Sequence, residues 1–163
     1  MNFSEKPPTN ITKSDLYNLL SRQASSLFDS ERDFIANAAN LSALLFHSLP
    51  DVNWVGFYVL KDNELVLAPF QGKIACVRLP LGKGVCGTCA VERKSIVVGN
   101  VHEFPGHIAC DASSNSEIVI PLISNERLIG VLDIDSPVID RFDKDDQHGL
   151  EQISNIFLYN SEF

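Results

Sequence analysis

The chain has 163 residues, 45% apolar and 21% charged, which suits a single globular domain with its own core. Thirteen basic residues against 21 acidic ones leave a net charge of −8. The densest basic pair is Arg93-Lys94, which argues against a phosphate-tracking surface for nucleic acid or an anionic membrane. No apolar run approaches the roughly 20 residues of a membrane helix, and the N-terminal MNFSEKPPTN has no signal-like h-region. The expectation is a cytoplasmic protein with a flexible lead-in over residues 1–12 and one domain over 13–163.

Ser14 is a candidate N-cap, followed by Leu16, Leu19, Leu20, Ala24 and Leu27 at helical spacing. Ser30 and Asp33 resemble a capping box with a short acid, opening a second helix through Phe34, Ala38, Leu41 and Leu45 that ends before Pro50. VNWVGFYVL from Val52 reads as a strand. Lys61-Asp62-Asn63 turns the chain into ELVLAPF, the returning strand. Ile74 to Leu79 reads as a third strand closed by Pro80. After Gly82-Lys83-Gly84 comes a short helix to about Glu92, then a brief strand, SIVVGN. His102 to Ser116 reads as one long irregular segment, a length associated with function. EIVIPLI and RLIGVLDID form two more strands around Ser124-Asn125-Glu126, and a last helix starts near Asp143. The expected class is α+β: a mostly antiparallel six-stranded sheet flanked by helices.

Trp54, Gly56 and Tyr58 share one strand face, so two rings flank a position without a side chain. This suggests an aromatic hollow for a methyl or sulfonium-like group, or a plain core strand with a close backbone approach. Asp133 and Asp135 share a face at the end of an otherwise apolar strand. With a three-residue loop at 124–126, Glu117 lies opposite Asp133 and the three acids converge. A one-residue slip turns Glu117 to the other face. Crowded carboxylates keep at least one proton near neutral pH; such a set fits proton donation with ammonium binding, or a divalent metal, or solvated strand-end acids.

The four cysteines, Cys76, Cys86, Cys89 and Cys110, all fall between residues 76 and 110. That clustering suggests redox chemistry or metal binding more than a structural disulfide framework. Cys110, in the polar loop before Glu117, is a candidate nucleophile. Cys86, in the first turn of a helix with Lys83 nearby, is a candidate thiolate. Cys76 lies in the expected third strand. Cys86 and Cys89 form a CxxC, with His107 and Cys110 as an HxxC, but a helical CxxC is a poor zinc knuckle.

NWVGFY, PFQGK, ACVRL, LGKGVCGT, GHIACDASSNSEIVIPL and GVLDIDSP followed by RF closely resemble the free methionine-(R)-sulfoxide reductase family of GAF domains. The resemblance is dense from about residue 50 to 143. It implies a GAF fold and reduction of free L-methionine-(R)-sulfoxide. By the same resemblance, Cys110 would attack the sulfoxide sulfur and become a sulfenic acid, Cys76 would resolve it as a disulfide, and Cys86 would be a further recycling thiol. Thioredoxin would restore the thiols. Glu117, Asp133 and Asp135 would hold the substrate and assist the polarised sulfoxide, with Trp54 and Tyr58 beside its methyl group. No metal or organic cofactor is implied. Cys89 is additional to the family's three cysteines. The rival readings are a non-catalytic GAF sensor, disfavoured because no basic residue is expected near the pocket, and a zinc-binding structural domain. A homodimer through the terminal helices is a further expectation.

Overall fold

A computed structural model describes residues 10–106, 108 and 112–163; the first nine residues of the expected lead-in, and His107 and Cys110, lie outside the described residues. Helix α1 spans Lys13–Leu27. Its N-cap is Thr12 rather than Ser14: the Thr12 hydroxyl accepts from the Asp15 amide at 3.1 Å and donates to the Asp15 carboxylate. Thr12 stands three residues before an acid, and this pairing outcompetes the later serine. Helix α2, Phe34–Ser48, is capped by Asp33 through the Ala36 amide at 2.8 Å, so Asp33 is the cap itself and not the acid of a box begun by Ser30.

Strands β1 (Trp54–Lys61), β2 (Glu64–Gly72) and β3 (Arg78–Pro80) come next, followed by helix α3 (Gly84–Glu92) and strands β4 (Ile96–Val98), β5 (Ser116–Ser124) and β6 (Arg127–Ser136). Helix α4 (Lys144–Tyr159) closes the order and starts with a reciprocal capping box between Asp143 and Asp146. The sheet runs β3-β2-β1-β6-β5-β4, and each neighbouring pair of strands in it is antiparallel. The expected third strand is much shorter than its sequence suggests. Residues 73–77 leave the sheet, with Ile74 90% exposed, and β3 itself pairs only with Glu64 to Val66 at the edge.

The alternation of each strand divides the interior in two. One face, with Val55, Phe57, Ile118, Ile120, Leu132 and Ile134, joins the buried faces of α1, α2 and α4 in the larger apolar cluster. The opposite face, with Trp54, Tyr58, Val119 and Val131, packs with Cys86 and Cys89 of α3. Buried Asp146 ties the helical layer together: it accepts from Tyr17 Oη at 2.8 Å and Arg141 Nη1 at 3.1 Å, and pairs with Lys13. No helix among the described residues is long and apolar enough to cross a membrane.

Candidate active site

The site is built on the α3 side of the sheet. In the β1–β6–β5 ladder, Trp54 faces Asp135 and Asp135 faces Glu117; one step along, Gly56 faces Asp133 and Asp133 faces Val119. Directly opposed residues project to the same side, so both aspartates and Glu117 converge as expected, but through a different register. Glu117 pairs with Asp135, not Asp133. The hairpin loop is the two residues Asn125 and Glu126, with φ of 48° and 63°. That turn alone would set Glu117 against Ile134, on the wrong face. A bulge between Leu122 and Ile123, with Ile129 as the extra residue of β6, restores the phase.

With Cys86, Lys83, Ser114, Ile74 and Ile108, these acids and both aromatic rings line a small cavity that opens to solvent. Lys83 at the mouth contradicts the expectation that no basic residue stands near the pocket. Of the two readings at Gly56, the core strand with a close approach holds, and the space of a hollow is occupied. Trp54 stacks on Phe70 and on Tyr58, with ring centroids 5.3 and 5.9 Å apart, and a Cβ at Gly56 would meet Phe70 at 2.4 Å and the Trp54 ring at 2.5 Å. The rings wall the cavity from its floor instead of flanking a gap. Their polar ends hold the segment that left the sheet: Trp54 Nε1 donates to the Lys73 carbonyl at 3.1 Å, and Tyr58 Oη to the Cys76 carbonyl at 3.1 Å. Cys76 is therefore on a loop beside the cavity, and it is disulfide-bonded.

Cys86 is 4% exposed, and its Sγ lies 3.8 Å from Glu117 Oε1. Burial, then the charges of Asp133 and Glu117, push its thiol well above the usual range. The helix-end thiolate expected there is overturned, because desolvation among acids outweighs the helix dipole. Cys89 points elsewhere, toward the Val119 carbonyl at 3.6 Å, and both α3 cysteines are free thiols. The CxxC thus presents its two sulfurs to different partners and is neither a disulfide nor a knuckle. Burial, then Asp133 and Asp135, raise Glu117 well above the carboxylate range. Burial also lifts Asp133, to about 6, while hydrogen bonds from Cys86 and Glu117 pull it back. The pair separates into a stronger and a weaker acid, the arrangement suited to proton delivery near neutral pH.

Phe70 and Ser114 were not singled out from the sequence. Ser114 is buried at the cavity and accepts from Asn53 Nδ2 at 3.0 Å. Only the motifs PFQGK and DASSNSE hinted at either, because one serine in a serine-rich loop has no distinguishing period.

The GAF domain family model matches residues 38–157. The free methionine-R-sulfoxide reductase of Escherichia coli K12 is 53% identical over 88% of this chain and 87% of its own length. The chain belongs to the free methionine-R-sulfoxide reductase family of GAF domains. Among solved structures of that family, the Neisseria meningitidis reductase in complex with its substrate superposes with a TM-score of 0.91 at 42% identity, covering 96% of this chain and 94% of that one. The fRMsr of Staphylococcus aureus, also in complex with substrate, gives a TM-score of 0.86 at 52% identity, covering 96% and 99%. The family's α+β GAF fold is thus the fold of this chain, a six-stranded antiparallel sheet with helices on both faces.

Proposed function

We propose that this protein reduces free L-methionine-(R)-sulfoxide to L-methionine by cysteine chemistry, with thioredoxin as the final reductant. The observation that carries this reading is the convergence of Glu117, Asp133 and Asp135 with Trp54 in one cavity next to the Cys76 loop, in a chain so similar to reductases solved with substrate.

A sulfoxide joins a basic oxygen to an electrophilic sulfur. Glu117, holding its proton near neutral pH, is placed to deliver it to that oxygen. Asp133 is the adjoining partner, and half-buried Asp135 is suited to the substrate's ammonium. The Cys110 thiolate attacks sulfur; the S–O oxygen is transferred to the cysteine, leaving a sulfenic acid, and methionine departs. The Cys76 thiol then displaces water to form a disulfide, which a thioredoxin dithiol reduces by exchange. A disulfide at Cys76 in this fold is the state such a cycle reaches before recycling. Cys86, buried and protonated, is unsuited to be the first nucleophile and is left as an exchange thiol. No metal or organic cofactor enters any step.

The test is turnover of the free sulfoxide with thioredoxin, thioredoxin reductase and NADPH. Cys110→Ser is expected to abolish methionine release even in a single turnover. Cys76→Ser is expected to release one equivalent and then stall. Equal single-turnover release by Cys110→Ser and the parent would transfer the nucleophile to another sulfur. Tight binding of the sulfoxide without any release would make the protein a sensor instead.

A further inference from the structure

We infer that Cys86, Glu117 and Asp133 form a binding site for a divalent d10 cation of the zinc class, which would occupy the sulfoxide's place. One ligand atom from each residue lies within 4.8 Å of the other two, and among the described residues no other His, Cys, Asp or Glu group gathers three ligand atoms this closely. All three residues are buried, and Asp133 Oδ1 is a buried oxygen without a hydrogen-bond partner. A thiol with two carboxylates is a borderline-soft donor set, which favours zinc over magnesium or calcium. The 3.8 Å between Cys86 Sγ and Glu117 Oε1 is the span of two ligands at about 2.3 and 2.0 Å from a shared ion, at an angle of roughly 120°. A cation also resolves the electrostatic conflict of the trio, since three acids in one buried spot cannot all ionise without it. The fourth position would face the cavity.

This set differs from the CxxC pattern of the sequence, because Cys89 turns away toward the Val119 carbonyl. Inhibition by the ion rests on the reductase reading; binding itself does not.

Cadmium is the probe, because a cadmium–thiolate bond absorbs in the near ultraviolet. The protein is used without reductant, so that Cys76 stays in its disulfide and the free thiols among the described residues are Cys86 and Cys89. The expected result is a charge-transfer band that saturates at one cadmium per chain and is displaced by zinc. Cys89→Ser should keep the band and Cys86→Ser should lose it. Glu117→Gln and Asp133→Asn, which change little in shape, should each weaken the apparent Kd at least tenfold. No band at one equivalent, a band that survives Cys86→Ser, or unchanged affinity in both acid variants overturns the site. With the reduced protein, zinc should raise the KM for the sulfoxide, and a chelator should restore it. Cadmium binding as described in a protein without any turnover would sink the reductase reading and leave the site standing. Turnover without cadmium binding would do the reverse.

Discussion

Glu117 and Asp133 are near neighbours with different acid strengths, and the difference is environmental. Glu117 bears burial plus two adjacent acids, whereas Asp133 gains hydrogen bonds from Cys86 and Glu117 that hold it near 6. Glu117→Gln keeps a neutral donor of the same shape but no transferable proton. Single-turnover methionine release is expected to fall by about 10²–10⁴, and a loss of less than tenfold would remove the proton from the mechanism. Asp133 also makes stability depend on pH. Its folded-state pKa exceeds the usual 3.8, so between those values the native protein binds more protons than the unfolded chain, and stability declines as pH rises toward and through 6. Asp133→Asn lacks that slope. Urea unfolding should show the variant gaining on the parent between pH 4 and pH 7, and a constant difference would refute the assignment. At this scale the acids were legible in the sequence, because aspartates interrupt an apolar strand. The strength of the Cys86 thiol was not: position in a helix is visible in a sequence, but burial against acids from another element is not.

The β5–β6 hairpin sets which residues meet. Its turn uses two non-glycine residues at positive φ, Asn125, which tolerates that conformation, and Glu126, for which it costs about 1–2 kcal/mol. Glu126→Gly should therefore stabilise by about 0.5–1 kcal/mol after the flexibility of glycine is subtracted; the Arg93 guanidinium bond to the residue 126 carbonyl survives the change. A lower midpoint in denaturant would contradict this. On β1, Gly56→Ala forces the Trp54 indole or Phe70 to move, and the expected outcome is a raised KM for the sulfoxide with the fold retained, read by steady-state kinetics and circular dichroism. Helices and paired strands were legible here from their periods. The loop at 73–77 was not, since its residues look strand-like and what pulls them off the sheet is a pair of aromatic donors reaching their carbonyls. The true pairing of Glu117 was hidden for a related reason: two errors, a shorter turn and an unseen bulge, cancel in parity.

For the molecule as a whole, an α+β GAF architecture was readable from element order and family motifs, while the packing between its layers was not. The contact of α1 with α4 is an example. A Cβ at Gly149 would meet the Tyr17 ring at 2.1 Å, so Gly149→Ala should destabilise by about 1–3 kcal/mol, against the roughly 1 kcal/mol that alanine's helix propensity offers. Thermal unfolding decides the sign, and a higher Tm would show that the helices can separate at little cost. The sheet also divides labour between its two sides. On one side three helices of 15 or 16 residues cover it; on the other, a nine-residue helix and loops close the cavity. Breathing that admits a small solute can then be confined to the thin wall. Amide protons of α3 should exchange with deuterium well before those of α4, and a molecule built this way can open its door many times without loosening its frame.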